Sequence, residues 1–167
     1  DKARAGQTLV AHGKIGYSAA GLALLERFGR ALPQELEDLW PLVDAHCTPT
    51  LTPGRGVIAR ATGSTAMTDN SDGLVRDVGL MAQRSSVHID LDPAAIAPDP
   101  LLAAAGAVLD VDPWEWVLTG GEDHTLLATT CKAAPSGFRK IGTVLRGTGV
   151  TVGGDEPRYS GGWESFA

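Results

Sequence analysis

Two acids three positions apart, Asp69 and Asp72, stand in the run Asp69-Asn70-Ser71-Asp72-Gly73. A strand is expected to pass into a helix here, and at such a junction both carboxylates can converge on a hard cation, with Mg²⁺ the natural candidate. The same residues also make sense without an ion, because Ser71 as N-cap and Asp72 in the first turn stabilise a helix by themselves. An EF-hand is excluded: counting from Asp69 puts Leu80 where that loop requires its bidentate Glu.

A second pair of acids follows a flexible turn in Gly120-Gly121-Glu122-Asp123. From there a carboxylate can reach into a cleft as acceptor or metal ligand, the alternative being an ordinary exposed turn. Trp163, in Gly161-Gly162-Trp163, can stack on a ring as a lid or pack against its own domain. Gly13-Lys14-Ile15-Gly16-Tyr17-Ser18 lacks the order of a phosphate-binding loop, and Gly147-Thr148-Gly149 lacks the third glycine of a dinucleotide fingerprint, so both read as turns. The 4 histidines form no HExxH or triad pattern, and none is assigned a catalytic role.

The elements that must carry these residues follow from periodicity. Residues 8–12 read as a short buried strand, and Ser18 as the cap of a helix with Leu22, Leu25, Phe28 and Leu32 on one face. The small residues Ser18-Ala19-Ala20-Gly21 suit close helix packing. Pro33 opens another helix running to about His46, and 48–56 is a loop rich in Thr, Pro and Gly. Residues 66–69 form a strand leading to Ser71, the expected cap of a helix with the apolar stripe Leu74, Val78, Met81 and Ala82. Val87, Ile89 and Leu91 then alternate with His88, Asp90 and Asp92 as a half-buried strand. A helix over 100–109 precedes a shorter one opened by Asp112-Pro113 and closed by Thr119-Gly120-Gly121. Strands are expected over 126–130 and 140–145, and hairpin turns with a loose tail over 147–162. This irregular mixture predicts an α+β fold, a mixed β-sheet layered with helices.

Composition narrows the function. The 167 residues, 43% hydrophobic and 20% charged, suit one packed domain spanning 1–167. With 20 acids against 14 bases and a net charge of −6, bulk attraction to nucleic acid or anionic membranes is disfavoured. Carboxylate-held Mg²⁺ still lets an acidic protein present positive charge to a phosphorylated substrate. Cys47 and Cys131 form no CxxC pair, which fits a reduced, cytoplasmic setting. No apolar run approaches the ~20 residues of a membrane helix. The start, Asp1 to Gly6, has neither signal-peptide core nor initiator Met and reads as that of an excised fragment.

Three blocks occur in order: Gly16-Tyr17-Ser18-Ala19-Ala20-Gly21-Leu22-Ala23-Leu24-Leu25, Ala66-Met67-Thr68-Asp69-Asn70-Ser71-Asp72-Gly73-Leu74, and Gly120-Gly121-Glu122-Asp123-His124. With His46, Pro49, Ile141-Gly142-Thr143-Val144 and the terminal Gly-Trp and Phe166, this order resembles the thiamine-monophosphate kinases along essentially the whole chain. The resemblance implies the C-terminal domain of a two-domain enzyme in the aminoimidazole-ribonucleotide-synthetase superfamily, with the N-terminal domain and most of its metal-binding acids lying before Asp1. It implies ATP- and Mg²⁺-dependent phosphorylation of thiamine monophosphate by a full-length homodimer, the fragment alone being inactive. By motif, Asp69 and Asp72 would be Mg²⁺ ligands, Ser71 would touch the nucleotide, and Glu122 and Trp163 would contact thiamine monophosphate. Transfer of this kind needs alignment and charge neutralisation more than a general base. The chain departs from the family pattern at Asn70, usually apolar, and at His124 and Thr125, usually Tyr followed by Glu. Those departures leave open another acceptor within the superfamily; the missing acids leave open a non-catalytic binding or assembly module.

Overall fold

The computed structural model describes residues 2–162. Six strands form one sheet: β1 (Thr8–His12), β2 (Ala66–Asn70), β3 (His88–Leu91), β4 (Thr125–Thr130), β5 (Arg139–Leu145) and β6 (Gly149–Val152), in the order β2-β4-β1-β5-β3-β6. Neighbours are antiparallel except β3 and β6, which run parallel. The helices are α1 (Tyr17–Phe28), α2 (Trp40–Cys47), α3 (Arg55–Ala61), α4 (Leu74–Ser85), α5 (Pro93–Ile96), α6 (Pro100–Leu109) and α7 (Pro113–Thr119), with a 3-10 segment at Gln34–Leu39. The architecture is the expected mixed sheet layered with helices.

Alternation along the strands divides the side chains between two faces. Leu9, Leu127, Ile89, Leu91 and Ile141 pack in the main core with Leu24, Leu42, Leu74, Val78 and Leu118 of the helices. Val10 and Ala128 instead meet Ala59 of α3 and Phe138 in a small second cluster. One face is therefore thickly covered, and the other carries only a thin apolar patch beside α3.

Several local expectations hold. Leu74, Val78, Met81 and Ala82 are all buried, as are Val87, Ile89 and Leu91. Asp112 accepts the N–H of Trp114 at 3.1 Å and caps α7. Gly21 lets α1 and α2 touch, since a Cβ there would lie 2.0 Å from the Leu42 carbonyl oxygen.

Other expectations need correction. The buried face of α1 is Tyr17, Ala20, Gly21 and Leu24, whereas Leu25 and Phe28 pack only at its margin. Ser18 lies inside α1, its hydroxyl 2.9 Å from His46 Nδ1, and the N-cap is Gly16 in left-handed backbone at φ 86°. Ser71 likewise caps nothing: α4 begins at Leu74, with Gly73 as N-cap at φ 121°. At α1 the missing side-chain cap is replaced by the Asp123 carboxylate, whereas at α4 Asp77 of the helix itself reaches back to the N–H groups of Ser71 and Asp72 just before it. Helices α3 and α5 were not foreseen from periodicity, being too short to show a full apolar stripe.

Nor is 147–162 only turns and tail, because β6 adds to the sheet edge. A hydrogen-bond chain secures it. Thr151 Oγ1 donates to Asp90 Oδ1 at 2.6 Å, His88 Nε2 lies 2.8 Å from Thr151 Oγ1, and His88 Nδ1 lies 2.9 Å from the Thr148 carbonyl.

Candidate active site

The first acidic block occupies the end of β2 and the turn into α4. Asp77, one turn inside α4, accepts the backbone N–H of Ser71 at 3.0 Å and that of Asp72 at 2.9 Å. Asp77 thereby ties down the segment holding Asp69 and Asp72. Burial raises the Asp77 pKa above the ordinary carboxylate value. The N–H of Asp72 opposes that shift and the Asp72 charge reinforces it, with the Ser71 N–H and the Asp69 charge acting in the same two opposed ways.

The second block is stitched to the first through its backbone. Glu122 N–H donates to the Ser71 carbonyl at 2.8 Å, and His124 N–H to the Asn70 carbonyl at 3.0 Å. Both residues sit in left-handed backbone, Glu122 at φ 62° and His124 at φ 53°. This conformation is uncommon outside glycine. The Glu122 and His124 side chains are partly exposed, His124 Nε2 lying 3.5 Å from Glu122 Oε2 and its Nδ1 3.9 Å from Asp69 Oδ2. A metal-ligand candidate and a substrate-contact candidate thus flank one imidazole.

Asp123 points the other way. Its carboxylate accepts Gly16 N–H at 2.6 Å and Ser18 N–H at 3.0 Å, and lies 3.3 Å from Asn70 Nδ2. Burial pushes its pKa up to about 7, against the pull of the Ser18, Gly16 and Tyr17 N–H groups. The three departures from the family pattern therefore meet here. Asn70 is fully buried beside Asp123 and pairs across the sheet with Thr125, whose hydroxyl donates to the Lys14 carbonyl; His124 lies between.

Next to this junction lies a cavity of about 450 Å³. Asp69, Asp123 and His124 line it, together with His12, Lys14 and Arg55. Ser71, Asp72 and Glu122 are not among its lining residues. Asp72 lies 3.9 Å from Arg76 Nε on α4. Gly162 packs over the same turn, where a Cβ would meet the Asp72 carbonyl oxygen at 2.9 Å. Trp163 lies outside the described residues. Among the described residues, no group of three or more His, Cys, Asp or Glu is arranged to hold a metal ion.

Sequence reasoning missed Asp77 and the inward role of Asp123. The available signal for Asp77 was an acid beside Leu74, Val78 and Met81, where an apolar residue would be ordinary. Nothing local announces that Asp123 rather than Glu122 turns inward.

No family model matches the chain. Among curated proteins it is 61% identical to the thiamine-monophosphate kinase of Corynebacterium glutamicum over 99% of its own length and 50% of that protein. It is 44% identical to the Mycobacterium tuberculosis thiamine-monophosphate kinase over 98% of its length and 48% of that protein. The chain belongs to the thiamine-monophosphate kinase family. It spans about half the length of the curated relatives it matches.

Solved structures of the thiamine-monophosphate kinase family share the fold. AaThiL complexed with AMPPCP and TMP superposes with a TM-score of 0.83 at 32% identity, over 99% of this chain and 53% of that one. The Stenotrophomonas maltophilia thiamine-monophosphate kinase gives 0.78 at 25% identity, over 93% and 52%. Escherichia coli HypE, a hydrogenase maturation protein, is like this chain in fold alone, at 19% identity and a TM-score of 0.55.

Proposed function

We propose that this chain is the C-terminal half of an enzyme that transfers the γ-phosphoryl group of ATP to a phosphate oxygen of thiamine monophosphate, giving thiamine diphosphate and ADP. The observation that carries the reading is the 61% identity to a thiamine-monophosphate kinase along 99% of the chain. The fold likeness to AaThiL complexed with AMPPCP and TMP supports the same pair of substrates. The remaining half of the relatives' length would be an N-terminal domain supplying further acids, and the full-length enzyme a cytoplasmic homodimer. No helix among the described residues is long and apolar enough to cross a membrane.

Asp69 and Asp72 fit Mg²⁺ in the manner usual for phosphoryl-transfer sites, in which one or two carboxylates share the ion with substrate phosphates and water. Both are hard oxygen donors with substantial exposure, 55% and 38% of the side chain, and neither is consumed as a helix cap. When bound, the ion neutralises phosphate charge and helps align the groups. The chain's own contribution is positional. Asp77 holds the Ser71–Asp72 backbone, the Glu122 and His124 N–H groups bind that turn to the second block, and Glu122 presents its carboxylate for hydrogen bonding to thiamine monophosphate. By motif, Ser71 is assigned to the nucleotide and Trp163 to thiamine monophosphate.

The test is thiamine diphosphate formation by the full-length protein from ATP, Mg²⁺ and thiamine monophosphate. Glu122→Gln should raise KM for thiamine monophosphate while leaving KM for ATP near wild type. An unchanged rate and KM would remove Glu122 from the site. Preference for a different phosphorylated acceptor would move the chain to another activity within its superfamily.

A further inference from the structure

In a chain with six more acids than bases, three strong bases gather where the β1–α1 turn meets the segment before β5. Arg55 Nη1 donates to the Ser136 carbonyl at 2.9 Å, and Arg139 Nη1 to the Gly13 carbonyl at 2.7 Å. His12 Nδ1 lies 2.8 Å from the Gly137 carbonyl. Gly137 is the close point of approach: a Cβ there would stand 3.0 Å from Arg55 Nη1 and 3.3 Å from His12 Nδ1. Lys14 Nζ lies over the Tyr17 ring, 5.3 Å from its centre.

None of Lys14, Arg55 and Arg139 has a carboxylate within 4.0 Å among the described residues. Each arginine is oriented by a neutral carbonyl through one N–H of a fork that has five, so the guanidinium is held without its charge being matched. Asp99, the acid lining the second cavity, is engaged by the Tyr17 hydroxyl and the Leu102 N–H. Two cavities, of about 450 and 390 Å³, share His12, Gly13, Lys14 and Tyr17 as lining. Arg55 lines the first and Arg139 the second. The first also holds Asp44, Asp69 and Asp123, of which Asp44 is engaged by Thr48 and Asp123 by backbone N–H groups, so a ligand lying there meets the Asp69 carboxylate as well as the cations.

We propose that Lys14, Arg55 and Arg139 form an anion-binding rim at the junction of these cavities, which takes the phosphate of one of the two substrates. Planar guanidinium groups suit phosphate oxygens, and Lys14 adds a compact charge on a flexible stem. The assignment to a substrate rests on the proposed transfer reaction; the binding of phosphate itself does not.

The experiment is calorimetric titration of the full-length protein with inorganic pyrophosphate in Mg²⁺-free buffer, for wild type, Lys14→Ala and Arg139→Gln. Each folded variant, checked by circular dichroism, should bind about tenfold more weakly, the range for losing one charge-assisted contact. Arg55→Ala serves if Arg139→Gln does not fold. Absence of binding by wild type, or equal binding by the variants, overturns the rim. Competition with thiamine monophosphate or a non-hydrolysable ATP analogue then identifies the substrate, and displacement by neither overturns the assignment to a substrate. Pyrophosphate binding without thiamine diphosphate formation would instead count against the transfer reaction and leave the rim standing.

Discussion

The carboxylate of Asp123 accepts the backbone N–H of Ser18 at 3.0 Å across 105 positions of sequence, and so caps α1 from the turn before the neighbouring strand β4. The same carboxylate takes the Gly16 N–H and lies by Asn70, making it the common anchor of the β1–α1 turn, the end of β2 and the acidic turn before β4. Asp123→Ala should therefore destabilise the fold by about 1–3 kcal/mol, the loss of a cap together with buried donors left unmatched. Urea denaturation of the variant against wild type measures it.

Titration of Asp123 gives a second expectation. Its folded pKa, about 7, lies above the ordinary 3.8, so between those values the folded state holds the proton more tightly than the unfolded state. This group's contribution to stability is greatest at the acidic end and is lost as pH rises through about 7. Asp123→Asn should remove that decline. The comparison to make is the difference in urea midpoint between variant and wild type from pH 4 to 8.

The α1–α2 contact has no room for a methyl group at position 21, where a Cβ would fall 2.0 Å from the Leu42 carbonyl oxygen. Gly21→Ala must push the helices apart, and overpacking of this kind costs about 1–3 kcal/mol or more. A lowered melting temperature is expected; an unchanged one would mean that α1 and α2 pack differently.

His124 connects the two acidic blocks through partly exposed contacts to Glu122 and Asp69. His124→Phe removes both. Side-chain contacts this exposed contribute modestly, so KM for thiamine monophosphate in the full-length protein should rise about two- to five-fold with little change in stability. Steady-state kinetics and a thermal melt separate this positioning role from a structural one.

At the opposite sheet edge, Thr151→Val breaks the chain from His88 to Asp90 while conserving shape. A loss of about 1–2 kcal/mol is expected. Hydrogen exchange should show β6 opening before β3, because among the described residues β6 is an edge strand paired with β3 alone, whereas β3 is also paired with β5.

Much of this could be read in the sequence because the signals are local. The stripe of Leu74, Val78, Met81 and Ala82 and the alternation around Ile89 specify a buried helix face and a half-buried strand whatever surrounds them. Asp112-Pro113 marks a helix start because cap and first-turn chemistry need only neighbouring residues. Ser18 and Ser71 misled for the same reason: each looks like a local cap, but α1 is capped by the distant Asp123, and the Ser71 N–H is itself tied to Asp77 of the helix that follows.

What the sequence alone determined was the mixed α+β class, the family resemblance and the two acidic blocks, since each depends on residue order and short-range periodicity. The tertiary structure decided which acid of each block faces the cavity, how His124 joins Asp69 to Glu122, and that three unpaired bases surround Gly13 and Gly137. Those relationships depend on left-handed backbone at Glu122 and His124 and on strand pairing over more than a hundred positions, and neither leaves a trace in local residue spacing.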